Sequence, residues 1–123
     1  MTTEVTQPLP WIEAERHFVQ RALQYYTAGR FATLSRQFPV CGNLLHHAVE
    51  LAIKGALCRN HSREQICLMK HNLRKIWRSF KSVHQDARLV EFDAAVSGLN
   101  KFERIRYPDD VIKSGMQGTF ALF

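Results

Sequence analysis

The chain has 123 residues and a mass of 14.3 kDa, a size that suits a single domain. Hydrophobic residues make up 46% of it and charged residues 23%, which excludes a wholly disordered chain. It is basic, with 17 Lys and Arg against 11 Asp and Glu, and no apolar stretch approaches the roughly 20 residues that a membrane span requires. Because no export signal is visible either, we expect a soluble, cytoplasmic protein.

The first ten residues are polar and contain two prolines, which predicts a flexible lead-in over 1–10. Apolar residues then recur every three or four positions over 11–28, the spacing of an amphipathic helix. The stripe consists of Trp11, Ala14, Phe18, Ala22 and Tyr25, widened by Val19, Leu23 and Tyr26. Gly29 marks the expected end of this helix, although residues 31–37 could extend it by a turn or two before Pro39.

A second helix is predicted over residues 40–59. Apolar residues cover most of its circumference, so we expect it to be the central and most buried helix. Its polar residues are spaced by three or four positions and therefore share one face. They are Asn43, His46, His47, Glu50 and Lys54. Residues 60–68 are expected to form a connection with a short helical turn.

A third helix is predicted over residues 69–84, with an apolar core face and an opposite basic face. The core face is Leu73, Ile76, Trp77, Phe80 and Val83, and the basic face is Lys70, Arg74, Arg78 and Lys81. The fourth helix, over 86–106, begins after the N-cap residue Asp86 and ends before Pro108. Its apolar stripe is Leu89, Phe92, Val96, Leu99 and Phe102.

No segment shows sustained alternation of apolar and polar residues, so strands are not expected. Four amphipathic helices with short connections predict an all-α fold, an antiparallel bundle of four to five helices over residues 11–108. Residues 109–123 show no clear period and are predicted to form an irregular tail, which ends in the apolar run 119–123.

The positive charge is concentrated in one segment. Between Arg59 and Lys81 there are seven basic residues and one acidic residue, while charges cancel in the rest of the chain. A local excess of this kind can hold phosphates, RNA or an acidic partner. The alternative is a solvated helix face that only keeps the protein soluble.

Two groups of residues have the chemistry of metal ligands. Cys58, His61, Cys67 and His71 follow the pattern C-x2-H-x5-C-x3-H, and two thiolates with two imidazoles suit tetrahedral zinc. The alternative is that the three cysteines, which include Cys41, are reduced thiols in the core. His46, His47 and Glu50 share a helical face and could serve a metal or a general acid and base, or form a polar stripe or dimer seam. We expect no cofactor, since no phosphate-binding glycine loop is present.

Three short motifs occur in the order and at the gaps of one known family. The segment 44–57, with Glu50, Leu51, Ala52 and Lys54, resembles the Ala-x-Glu-Leu-Ala-x-Lys-Ala-like core of HEPN domains (higher eukaryotes and prokaryotes nucleotide-binding). His71-Asn72-Leu73 resembles the His-Asp-Leu signature of that family, with Asn in place of Asp. Arg106-Tyr107-Pro108-Asp109 resembles the ending of one branch of the family. The resemblance covers roughly residues 11–110.

The resemblance implies a small bundle of four or five helices, commonly a homodimer. Many HEPN proteins are ribonucleases, often toxins paired with a nucleotidyltransferase-type antitoxin, and use an Arg-x4-6-His motif at a dimer cleft. This chain departs from that pattern, because Arg104 and Arg106 have no histidine downstream and His84 is the last histidine. One Arg-x5-His match, Arg78 with His84, lies on the third predicted helix instead.

The pattern as a whole favours a HEPN-like, non-catalytic helical module that forms a homodimer and binds a nucleotide, RNA or a protein partner, including a nucleotidyltransferase-type partner. The residues assigned to ligand binding are His47, Glu50, Lys54, Lys70, Arg74, Arg78, Arg106, Tyr107 and Asp109. Two alternatives remain open: a toxin-type ribonuclease that uses Arg78 and His84 as its catalytic pair, and a purely structural subunit.

Overall fold

A computed structural model describes residues 10–104, together with the side chains of residues 10–102. This range contains five α-helices, two short 3-10 helices and no strand, which confirms the predicted all-α fold. The α-helices are α1 (Pro10–Leu34), α2 (Val40–Leu57), α3 (Arg63–Leu68), α4 (Leu73–His84) and α5 (Asp93–Asn100). The 3-10 helices are Ala87–Phe92 and Lys101–Arg104, on either side of α5. The predicted tail 109–123 and all of the lead-in except Pro10 lie outside the described residues.

The first two helices form an antiparallel hairpin. Gly29 in α1 approaches Leu45 near the start of α2, and Phe18 approaches Gly55 near its end. The guanidinium of Arg59, just beyond α2, lies 5.0 Å from the centre of the Trp11 ring at the start of α1. Because positions later in α1 meet positions earlier in α2, the two helices run in opposite directions.

Gly29 does not end the first helix; α1 continues beyond it, as the alternative extension over 31–37 allowed. It is buried, and a methyl group added there would lie 2.8 Å from Cδ2 of Leu45. The glycine therefore lets α1 and α2 approach each other closely rather than terminating α1. The helix continues through Ala32, which is also buried, and ends at Leu34.

The second helix lies at the centre of the bundle, as predicted. It packs against α1, α4, α5 and the last 3-10 helix. The hydrophobic core joins α2 to the later helices through Ile53, Leu57, Met69, Leu73, Ile76 and Val96. Trp77, Phe80 and Val83 pack against this core, so the predicted core face of the third helix is confirmed.

The helix after α3 begins four residues later than predicted. The backbone at Lys70 has a φ of 50°, which interrupts a helix, and the Asn72 side chain accepts a hydrogen bond from the Lys75 N–H. Asn72 is thus the N-cap of α4. The predicted helical turn in 60–68 is α3, which begins with a capping box between Ser62 and Gln65.

The segment 86–106 is not one helix, as far as its described residues show. Asp86 is an N-cap, as expected, but its carboxylate accepts from the Arg88 N–H at the start of a 3-10 helix. A 3-10 helix has about 3.0 residues per turn, so the predicted stripe does not stay on one face. As a result Phe92 is exposed, whereas Val96 and Phe102 are buried.

Among the described helices, none combines the length and the apolar character that crossing a bilayer requires.

Candidate functional site

A buried polar cluster surrounds the Glu50 carboxylate in the middle of α2. Oxygen Oε2 of Glu50 accepts hydrogen bonds from Lys54 Nζ at 3.0 Å and from His71 Nδ1 at 2.9 Å. Lys54 Nζ also donates to the backbone carbonyl of Lys70. The cluster therefore ties α2 to the turn that leads into α4.

Two further histidines face the other carboxylate oxygen. Nδ1 of His46 and Nδ1 of His47 lie 3.7 and 3.6 Å from Glu50 Oε1, distances just beyond a hydrogen bond. The ring of His47 packs edge-on against the rings of both His46 and His71. His46 and Glu50 are buried, whereas the side chains of His47 and His71 are 39% and 55% exposed. The cluster is thus closed on the core side and open to solvent at His47 and His71.

The Glu50 carboxylate is ionised throughout the physiological range. Burial raises its pKa, but the contacts with His47, Lys54 and His71 outweigh burial and lower the pKa to about 2. Since an ionised carboxylate only accepts hydrogen bonds, His71 must carry a proton on Nδ1 and donate it. The sequence placed Glu50 and Lys54 on one helix face; their burial was not predicted.

Two of the motifs that resemble HEPN domains meet at this cluster. Glu50 and Lys54 come from the α2 motif, and His71 from the His-Asn-Leu motif. In that second motif, Asn72 caps α4 and Leu73 is fully buried in the core. The Leu73 N–H also donates to Asn100 Oδ1 at 2.8 Å, which joins the start of α4 to the end of α5. Arg106, Tyr107 and Asp109 of the third motif lie outside the described residues.

The basic face predicted for the third helix is exposed to solvent over most of its length. Lys70, Arg74 and Arg78 are exposed, and none of them forms an ion pair with a described side chain of residues 10–102. Lys81 differs, because its ammonium lies 2.8 Å from Asp93 Oδ1. The same oxygen accepts from Trp77 Nε1 at 2.6 Å. A small pocket of about 190 Å³ between α4 and α5 is lined by Arg74, Arg78 and Lys81.

Arg78 and His84 do not meet within one chain. Both lie on α4, where six residues correspond to about 9 Å along the axis and about 120° around it. The His84 ring packs against Phe80, with 4.4 Å between ring centres, whereas Arg78 is on the basic face. A catalytic pair from these two residues would need a second protomer.

The four residues of the C-x2-H-x5-C-x3-H pattern do not form one cluster. Cys58, His61 and Cys67 line a pocket of about 660 Å³ beside the start of α1, but His71 is bonded to Glu50 instead. Burial raises the pKa of the Cys58 thiol, and its Sγ contacts the Lys54 carbonyl at 3.3 Å. Among the described residues, three metal-ligating side chains come together at one place, His46 with His47 and Glu50.

An exposed apolar surface on α1 was not predicted. Val19, Leu23 and Tyr26, expected to widen the buried stripe, are exposed, as are Phe31 and Leu34. Leu23, Phe31, Val40 and Leu44 line a largely apolar groove of about 810 Å³ between α1 and α2. Phe31 and Leu34 lie in the part of α1 beyond Gly29, whereas Val19, Leu23 and Tyr26 lie before it and were expected to be buried.

Comparisons of the chain with protein-family models, with curated proteins and with solved structures found no match.

Proposed function

We propose that this chain is a HEPN-like, non-catalytic helical module that forms a homodimer and binds RNA through the basic face of α4. The observation that carries this proposal is the exposed charge of Arg74 and Arg78 on α4 and of Lys70 just before it, none of which pairs with a carboxylate of residues 10–102. Cations without a carboxylate partner are available to phosphates, and binding to phosphates releases the counterions condensed on RNA. A solvated helix face that only keeps the protein soluble would more often carry acidic residues between its basic ones.

The buried Glu50 cluster supports the HEPN-like part of the proposal. Glu50 and His71 come from two of the three motifs that carry the resemblance and are 21 residues apart in the sequence, yet they are in direct contact. A chance similarity in two separate stretches of sequence would not by itself bring them together. Lys54, which pairs with Glu50, also donates to the backbone carbonyl of Lys70, where the basic face begins.

The apolar groove on α1 supports the homodimer. Leu23, Phe31 and Leu34 are large, apolar and more than 60% exposed, and contiguous apolar surface commonly marks a protein contact. The groove and the basic face of α4 involve different helices, so a dimer formed through α1 leaves the phosphate contacts accessible. It also leaves Arg78 of each chain free to contact RNA.

A binding titration tests the RNA contact. We would measure the fluorescence anisotropy of a labelled single-stranded RNA against the purified chain and against Arg74→Gln/Arg78→Gln. The variant should bind more weakly and lower the slope of log K against log salt by about 1.4, because each phosphate contact on a single strand contributes about 0.7. Arg21→Gln/Arg30→Gln, two exposed arginines of α1, is the control with the same net charge.

Three results would contradict the proposal. They are no binding at low salt, an equal loss in both double variants, and cleavage of the RNA by the unmodified chain that Arg78→Ala and His84→Ala abolish. The last result would establish the ribonuclease alternative. Tight binding of mononucleotides with no preference for RNA would replace RNA by a nucleotide as the ligand of the same face.

Sedimentation measurements test the dimer. Phe31→Glu places a charge in the apolar groove and should shift the chain to the monomer. Phe92→Glu is a matched control, because Phe92 is a similarly exposed phenylalanine outside the groove. An unmodified chain that sediments as a monomer at high concentration would contradict the proposed dimer.

A further inference from the structure

We propose that His46, His47 and Glu50 form a binding site for a divalent transition metal ion of the zinc type, a role independent of RNA binding. One donor atom from each of the three side chains lies within 4.8 Å of the other two. Two imidazoles and one carboxylate are a ligand set that zinc uses in proteins. All three lie within little more than one turn of α2, the central helix of the bundle.

The distances suit coordination better than direct hydrogen bonding. Nδ1 of His46 and Nδ1 of His47 are 3.7 and 3.6 Å from Glu50 Oε1. Tetrahedral ligands with metal bonds of about 2.0–2.1 Å lie about 3.4 Å from each other. Both measured distances exceed this spacing by only a few tenths of an ångström, and all three donor atoms lie within 4.8 Å of one another. His47, the more exposed of the two histidines, has room to move toward a bound ion.

The two carboxylate oxygens of Glu50 differ in the hydrogen bonds that they accept. Oε2 accepts two hydrogen bonds, from Lys54 and His71, whereas buried Oε1 accepts none from the described side chains of residues 10–102. A buried acceptor without a partner is costly, and such atoms commonly mark an ion or a water. A metal ion bound by Oε1 removes this cost, while Lys54 and His71 hold the carboxylate in its orientation.

The arrangement also gives the ion access. His47 and His71 are the partly exposed members of the cluster and form its solvent side. Three protein ligands leave a fourth position open on that side, which water can fill. Both ligating histidines would offer the Nδ1 lone pair to the metal and carry their proton on Nε2.

The test uses metal alone. The purified, metal-free chain is titrated with Zn²⁺ in competition with a chromophoric chelator, and with Co²⁺ to record its visible absorption. We expect one equivalent of metal per chain. His47→Gln should weaken binding by at least 10- to 100-fold, the loss found even for groups that only orient a ligand. His47 is partly exposed, so this variant should keep the helical circular-dichroism spectrum of the unmodified chain.

Two control variants separate this site from the cysteine pocket. His61→Gln and Cys67→Ser lie in that pocket and should bind Zn²⁺ as tightly as the unmodified chain. The proposal is overturned if no stoichiometric binding occurs, which would leave Oε1 to a water molecule. It is also overturned if a control variant abolishes binding while His47→Gln does not, or if the Co²⁺ complex shows thiolate charge-transfer absorption. None of these outcomes depends on whether RNA binds.

Discussion

Two lysine–carboxylate pairs in this chain have nearly the same geometry and opposite surroundings. In α2, Lys54 and Glu50 are 3.0 Å apart, with side chains 8% and 2% exposed. Between α4 and α5, Lys81 and Asp93 are 2.8 Å apart, with side chains 31% and 44% exposed. The distance alone would rank the second pair as the stronger contact.

Burial predicts the opposite order for the stability that is lost when each pair is broken. Removing one member of a buried pair leaves an uncompensated charge in a medium that cannot solvate it. Removing one member of a partly exposed pair leaves a charge that water solvates, and salt already screens the attraction. Loss of either member of the α2 pair should therefore destabilise the centre of the fold, whereas loss of either member of the α4–α5 pair should change the stability little.

The largest expected effect comes from replacing the two lysines. Lys54→Met keeps the side-chain volume but leaves Glu50 charged and without its ammonium partner, so we expect a loss of about 3–5 kcal/mol in the free energy of unfolding. Lys81→Met is the matched substitution on the exposed pair and should lose far less. Urea denaturation of the two variants measures the difference, and equal losses would refute the comparison.

The pH dependence of stability should report Glu50. Its pKa is about 2 in the fold against an ordinary value of 4.5. Because the folded pKa is the lower one, the ionised carboxylate stabilises the fold fully above about pH 4.5, and this contribution is lost as the pH falls through 2. The shift corresponds to about 3 kcal/mol.

Glu50→Gln removes this titration. The variant should be less stable at pH 7 and should show a flatter dependence of unfolding free energy on pH between about 4.5 and 2. Urea denaturation at several pH values measures both. Asp93→Asn is the control: the contacts with Lys81 and Trp77 also lower the pKa of Asp93, but its exposure makes the pH effect small. An acid limb unchanged in Glu50→Gln would contradict the assignment.

Two glycines extend the comparison to packing. A methyl group at Gly42 in α2 would collide with the buried ring of Phe102, so Gly42→Ala should cost about 1–3 kcal/mol of stability, the usual range for overpacking. At Gly98 in α5, no atom of the described part of the chain lies within 4 Å of the added methyl group, apart from the adjoining residues and the backbone of the helix itself. Gly98→Ala should therefore stabilise the chain by up to about 1 kcal/mol through helix propensity. Thermal unfolding measures both; a destabilised Gly98→Ala variant would argue against an open site there.

The smallest expected effect is the response of the exposed pair to salt. A double-mutant cycle with Lys81→Met and Asp93→Asn should give a coupling free energy that declines between low and high salt, because the pair is screened by ions. The corresponding cycle on Lys54 and Glu50 should hardly change with salt. A coupling between Lys81 and Asp93 that resists high salt would mean that this pair is more shielded than its exposure indicates.

Local pattern was enough to predict several parts of the fold. Apolar spacing identified α2 and the core face of α4, including Leu73 and Ile76, because one helix face must be buried whatever its neighbours are. Asp86 was recognised as a cap from its residue type and position. Cap chemistry and periodicity are properties of a few consecutive residues, so they can be read without knowing the rest of the chain.

The close approach of one helix to another could not be predicted from a few consecutive residues. Gly29 has the residue type of a helix end, and only its contact with Leu45 shows that it serves helix packing. In 86–106, α5 begins at Asp93, whose carboxylate accepts a hydrogen bond from Trp77 of α4, a contact that the spacing of apolar residues does not reveal. The type of a residue indicates a local role, but its contacts with the neighbouring helix determine whether it has that role.

By itself, the amino-acid sequence determined that this chain is helical, that α2 is its centre, and that Glu50 and Lys54 share a helix face with two histidines. Only the tertiary structure decided that this face is buried, that His71 closes the cluster from another element, and that part of α1 is left exposed. The physical reason is that periodicity states which residues lie on the same side of a helix, whereas burial and the pairing of charges depend on what packs against that side.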